Sequence, residues 1–233
     1  MAVALGALGL GAAHAQLPAL PQYVTISPKP EIVKLSLFVD YGGGSGAIAG
    51  RHFVGGAVLF DTPSRSYASV GAGALLFSDA RIATAPGVAA ALGHEFPREP
   101  SLLVAVAQTG IGYVAFSDSA GGRHHQLDIP IAFGFGVYGP VPQLSGSKLF
   151  SNATVKPWVA ARAQLRHVSV TGSPAAVAGW RVGVGAALGL SVVLHRGWGV
   201  RVAYDRLWIK DPSTSRTRAE AAFGVGLVRV RSL

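Results

Sequence analysis

Between Ala178 and Asp205 apolar and polar residues alternate with a period of two. Trp180, Val182, Val184, Ala186, Leu188, Leu190, Val192 and Leu194 share one parity. Arg181, Gly183, Gly185, Ala187, Gly189, Ser191 and His195 fill the other. Side chains alternate across a strand and recur every 3.6 residues on a helix, so this pattern predicts a long strand. After a tight His195-Arg196-Gly197 turn the alternation returns, with Val200, Val202, Tyr204 and Trp208 set against Arg201, Ala203 and Asp205. The two arms make a hairpin with one continuous apolar face and an opposite face of charge and glycine.

The same pattern runs through most of the chain. Leu35, Leu37, Val39 and Tyr41 oppose Lys34, Ser36 and Asp40, and Gly42 to Gly46 is expected to be a loop. Arg51 to Phe60 is a less regular strand, closed by an Asp61-Thr62-Pro63-Ser64 turn. Val70, Ala72, Ala74 and Leu76 oppose Ser69, Gly71 and Gly73. Ile82 to His94 is rich in alanine, and a short helix there would remove a strand; Glu95 to Pro100 is expected to be a proline-bounded turn. Beyond Leu103, Ile111 and Tyr113 face away from Gln108, Gly110 and Gly112, and Asp118 to His125 is expected to be a polar loop. Leu127, Ile129, Ile131, Phe133, Phe135 and Val137 then give the cleanest apolar face, against Asp128, Ala132, Gly134 and Gly136. Gly139 to Ala153 is a long connection. In the next strand, Thr154 to Val170, Val155, Val159, Ala161, Ala163 and Leu165 oppose Lys156, Arg162, Gln164 and Arg166. A last strand covers Thr217 to Arg231.

Composition narrows what such strands can build. Half of the 233 residues are hydrophobic and 13% are charged, with a mean hydropathy of +0.40. No uninterrupted apolar run reaches the ~18 residues that a helical membrane span requires. Only helices and closed barrels satisfy every backbone hydrogen bond in hydrocarbon. With aromatics near strand ends, the expected fold is all-β: an antiparallel up-and-down transmembrane β-barrel of about ten strands, or eight if the weakest two merge. It would occupy residues 33–233. Val3 to Ala13 followed by Ala13-His14-Ala15 has the form of a cleavable export signal, although no Lys or Arg precedes it, so residues 1–15 are expected to be a signal peptide. Residues 16–32, with Pro18, Pro21, Pro28 and Pro30, form an extended lead-in. Cysteine is absent, so the ladder and packing must hold the fold. The formal charge of +9 is scattered singly, without the clustered basic face of a nucleic-acid binder; lipid phosphates are the nearer anions.

A signal-like leader, amphipathic strands of this length and a last strand reaching the chain terminus together resemble the small outer-membrane β-barrel proteins of bacteria, the porin-like barrels that include the eight-stranded ones. The resemblance covers about Val33 to Leu233 and rests on pattern. It implies an outer-membrane location in the cell envelope, contact with outer-membrane lipids and lipopolysaccharide, and insertion by the barrel-assembly machinery. Members commonly finish with an aromatic residue, where this chain has Leu233, and Arg229 and Arg231 share its parity. Such outward arginines belong near the headgroups, where they reach phosphate.

Gly44-Ser45-Gly46-Ala47-Ile48-Ala49 matches a dinucleotide-binding pattern, but Gly50, Gly55 and Gly56 interrupt the helix that pattern needs, and a hairpin loop explains it. His124-His125 beside Asp128 suggests a metal cluster; adjacent residues of an extended chain point to opposite sides, so a solvated loop is the expectation. The residues specify no catalytic, metal or cofactor site. The sharper constellation is the inward set Asp40, Asp128, Lys156, Arg162, Arg166, Arg181, Arg201, Asp205 and Glu220. In a narrow lumen these groups are expected to interlock as carboxylate–cation pairs. Phe133, Phe135, Trp180, Val182, Leu188, Leu190, Tyr204, Trp208 and Phe223 are expected to face lipid. A paired lumen favours a non-enzymatic structural or surface-interaction role. A narrow channel for small solutes and a lipid-modifying barrel enzyme are the alternatives.

Overall fold

A computed structural model describes residues 34–45, 51–77, 82–97, 103–117, 121–137, 139–140, 154–172, 177–194, 197–210 and 216–232. The strands are β1 (Lys34–Ser45), β2 (Arg51–Asp61), β3 (Ser66–Phe77), β4 (Ala85–Pro97), β5 (Leu103–Ser117), β6 (Arg123–Val137), β7 (Gly139–Pro140), β8 (Thr154–Thr171), β9 (Val177–Val193), β10 (Trp198–Lys210) and β11 (Thr217–Ser232). All pairings are antiparallel. β1 pairs β11 and β6 pairs β8, which closes the sheet on itself. β7 adds only two residues beside the start of β8, so ten long strands make the wall of a closed up-and-down barrel. Closure removes the unpaired edges that an open sheet would expose. The signal peptide, the proline-rich lead-in, residues 46–49 of the dinucleotide-like motif with Gly50 after it, and residues 141–153 of the long connection lie outside the described residues.

One end of the barrel, here the upper rim, is where β1 joins β2, β3 joins β4, β5 joins β6, β8 joins β9 and β10 joins β11. The other end is the lower rim. There, Thr62 to Arg65 links β2 to β3 with Arg65 in a left-handed conformation at φ 62°. The turn into β10 closes through a hydrogen bond from Leu194 N to Trp198 O, 2.6 Å. Gly197 supplies that turn's positive φ of 75°.

Four expectations are corrected, all because alternation persists through residues that resemble turn formers. Gly42 to Ser45 continue β1 instead of forming a loop. The alanine-rich segment is strand β4, which runs on through Glu95, Phe96 and Pro97 in place of a turn; Glu95 points inward and Phe96 outward. Asp61 ends β2 with its side chain buried. Arg123, His124 and His125 begin β6 and are not loop.

The inward glycines have a specific use. Phe53 lies directly opposite Gly42, Tyr67 opposite Gly93 and Trp158 opposite Gly189. A methyl group on any of the three would land inside the facing ring. Each missing side chain is thus the socket of an aromatic from the neighbouring strand, a cross-strand partnership that protects glycine backbone with ring surface. Gly189→Ala is expected to destabilise the barrel by about 1–3 kcal/mol, the usual cost of overpacking. A lowered urea midpoint and a shifted tryptophan emission would show it; an unchanged midpoint would mean that the indole relocates freely.

Candidate functional site: the charged lumen

The strands from β6 onward turn their polar parity inward and bring charges from distant parts of the chain together. Arg166 of β8 faces Asp128 across the β6–β8 ladder. Its Nε donates to Asp128 Oδ1 at 2.6 Å and its Nη2 to Asp128 Oδ2 at 3.4 Å. Its Nη1 reaches Glu220 of β11, 3.2 Å from each carboxylate oxygen. Two strands separate β8 from β11 in the wall, so this bridge crosses the bore. Gln126 Nε2 donates to Asp128 Oδ2 at 2.6 Å, adding a neutral partner.

Two further pairs each reach over a single strand of the wall inside the bore. Arg162 of β8 donates through Nη2 to Asp205 Oδ2 of β10 at 2.6 Å. Arg201 of β10 donates through Nε to Asp40 Oδ1 of β1 at 2.9 Å, with a second bond from Nη2 to Oδ2. Gly226 stands between them in the register, and a side chain there would collide with the Asp40 carboxylate. The Arg201 guanidinium also lies 4.1 Å from the centre of the Phe38 ring, a cation–π contact. Of the remaining candidates, Lys156 is fully buried opposite Ser191. Arg181 is half-buried opposite Arg166.

Removing such charges from water costs several kcal/mol per ion, recovered only with good geometry and further hydrogen bonds. The bidentate guanidinium contacts provide both.

The lumen holds more than the sequence indicated. Asp61 and Glu95 add two buried carboxylates, concealed in apparent turns. His124 is buried and stacks on Phe116, 4.6 Å between centroids at an interplanar angle of 4°, whereas His125 points outward to Tyr113. The solvated-loop expectation for His124 is therefore corrected. Among the described residues no group of acids and histidines could hold a metal ion. The Tyr67 hydroxyl donates to Gln108 at 2.8 Å.

The lumen is not lined by charge and glycine alone. Phe38, Phe53, Leu59, Tyr67, Leu75, Val104, Val106, Val114, Phe116 and Trp158 form a buried apolar cluster, mostly from β1 to β5. All share the inward parity with glycine or charge, so continuing each alternation would have found them. The bore is thus ion-paired on one side and lined largely by apolar side chains on the other, with Asp61 and Glu95 buried on that apolar side.

The outside is the reverse. Phe133, Phe135, Trp180, Val182, Leu188, Trp208 and Phe223 are exposed, and Leu190 and Tyr204 are half-buried on the same outward parity. Leu127 to Val137 on β6 and Val155 to Leu165 on β8 each give an outward face that is apolar throughout. Each covers the length that carries a tilted strand through hydrocarbon, about 9–11 residues. Aromatics mark both rims: Tyr41 is hydrogen-bonded to His52 at 2.9 Å near the upper rim. Trp198 lies under Arg229 at 5.0 Å near the lower one. The wall is built to cross a membrane, with lipid in place of a second protein layer.

No protein-family model matches the chain, and no curated protein does. Solved structures do. The β domain of the Bordetella autotransporter BrkA aligns at a TM-score of 0.49 and 15% identity, over 87% of this chain and 99% of that one. The translocator domain of the autotransporter NalP from Neisseria meningitidis aligns at 0.47 and 12%, over 85% and 88%. The outer membrane protease OmpT from Escherichia coli aligns at 0.42 and 8%, over 89% and 99%. At these values the likeness extends to barrel architecture alone, and within that limit the chain is similar to outer-membrane β-barrels.

Proposed function

We propose that this chain is an integral β-barrel of the bacterial outer membrane whose ion-paired lumen holds the wall in shape, with a structural or surface-interaction role and no enzymatic chemistry. One observation carries the reading: Arg201–Asp40, Arg162–Asp205 and Arg166 with Asp128 and Glu220 tie strands together inside the bore, while an apolar cluster lines much of the β1–β5 side. A solute entering the bore would meet buried ion pairs, each costly to separate. The outward apolar faces supply the membrane contact, and insertion falls to the barrel-assembly machinery.

The test is direct. The expressed chain is expected to fractionate with outer membranes and, once purified, to migrate on gels faster before boiling than after. In planar bilayers it is expected to give no stepwise conductance; steady openings would establish the channel reading. An altered lipid A profile on expression would establish the lipid-modifying enzyme reading.

A further inference from the structure

Every carboxylate on the described strands points into the barrel: Asp40, Asp61, Glu95, Asp128, Asp205 and Glu220 are all buried. Several cations have the opposite orientation, so the described exterior carries basic groups without acidic ones to neutralise them. On the outer wall they are Arg206 and Lys210 of β10, Arg229 and Arg231 of β11, and Arg123 of β6; Arg123 stands on the upper rim beside two histidines and two hydroxyl groups. On β6 the outward apolar face ends at Leu127 and gives way to His125 and Arg123; on β8 it ends at Leu165 and gives way to His167, Ser169 and Thr171.

These residues are neighbours in the ladder. Arg123 faces Thr171, His125 faces Ser169, and Leu127 faces His167, which in turn faces Trp180 on β9. Adjacent strands lie ~4.8 Å apart, so a basic and hydroxyl-bearing surface a few residues wide sits directly above hydrocarbon-length faces. Arg123 is exposed and the two histidines are half-buried. Aromatic side chains hold the imidazoles at the boundary. The Tyr113 hydroxyl and His125 Nδ1 share a hydrogen bond of 2.6 Å, and the His167 ring lies 4.9 Å from the Trp180 ring.

The geometry points to a site for the phosphate of an anionic membrane-lipid headgroup on the outer wall of β6 and β8, resting on the membrane-barrel reading above. Arg123 supplies the permanent charge and a planar fork of donors matched to phosphate oxygens. His125, Ser169 and Thr171 supply shorter-range donors, and the apolar faces below receive the acyl chains. Height selects the ligand: the donors begin where the ~10-residue crossing ends, which is headgroup level.

The test uses the full chain in nanodiscs of phosphatidylcholine doped with phosphatidylglycerol, with retained lipid counted by native mass spectrometry after detergent extraction. Phosphatidylglycerol is expected to be enriched over phosphatidylcholine, and added inorganic phosphate is expected not to displace it. Arg123→Gln combined with His125→Gln is expected to cut the enrichment about fivefold or more, the scale for one surface cation. Arg229→Gln at the lower rim, where the guanidinium stands over Trp198 and not among imidazole and hydroxyl donors, is expected to cut it by less. No enrichment in the unmodified barrel, or an equal loss in Arg229→Gln, would overturn the site. Should the double variant fail to fold, a photoactivatable phosphatidylglycerol headgroup decides on the unmodified protein. Label on the upper ends of β6 and β8 supports the site, and label spread evenly around both rims overturns it. A barrel that migrates heat-modifiably yet shows no preference sinks the lipid site alone; one that never enters a bilayer sinks the membrane reading.

Discussion

Arg166→Leu is expected to lower the unfolding free energy of the barrel by ~3–5 kcal/mol, the cost of breaking a buried ion pair by removing one partner. Arg166 is 1% exposed and serves both Asp128 and Glu220, so its loss leaves two carboxylates facing each other in a closed bore. Urea titration of the refolded barrel, followed by tryptophan fluorescence, measures the effect. A second variant separates charge from packing: adding Asp128→Asn and Glu220→Gln to Arg166→Leu is expected to recover much of the loss, because neutral amides do not repel. If the single and triple variants are equally unstable, lost packing of the Arg166 stem explains the effect and the ion-pair account fails. The conservative Arg166→Lys is expected to fall between, since an ammonium cannot hold both carboxylates with the same fork.

Val159→Arg is the second large effect, and it interrogates the opposite face. Val159 is 53% exposed near the middle of the Val155 to Leu165 face, so in water an arginine there would change stability by no more than about 0.5 kcal/mol. Against hydrocarbon the same substitution is expected to cost ~2–4 kcal/mol, the midplane value for a cation on the lipid face of a barrel. Thr171→Arg, at the upper end of the same strand, is expected to be nearly neutral because its side chain reaches headgroup level. A folding titration into phospholipid vesicles compares the two. Equal tolerance at both positions would mean that the outer face meets water.

The two sets of residues differ in how visible they are before folding. Phe133, Trp180 and Val182 are legible as lipid-facing because alternation is local: each residue's side is fixed relative to its neighbours once the segment is extended. The same logic places Asp40, Arg162, Arg166 and Arg201 on one side of their strands. It fails at Glu95 and Asp61, where proline and small polar residues mimic the end of a strand. It also undervalues Phe38, Phe53, Tyr67 and Trp158, large rings on a parity that elsewhere holds charge and glycine. In a narrow barrel the inner face must be filled, and rings standing over glycines fill it as well as ion pairs do.

The sequence by itself determined a wall of long antiparallel strands, its approximate number of crossings, and the side to which most residues turn, because a period of two needs no distant contact to be read. Only the tertiary structure decided which inward groups meet. Arg201 and Asp40 are 161 positions apart, and they become partners because β1 pairs with β11 and encloses the bore. Closure and stagger set the depth of every inward side chain. They are properties of the whole ring of hydrogen bonds, which no single strand contains.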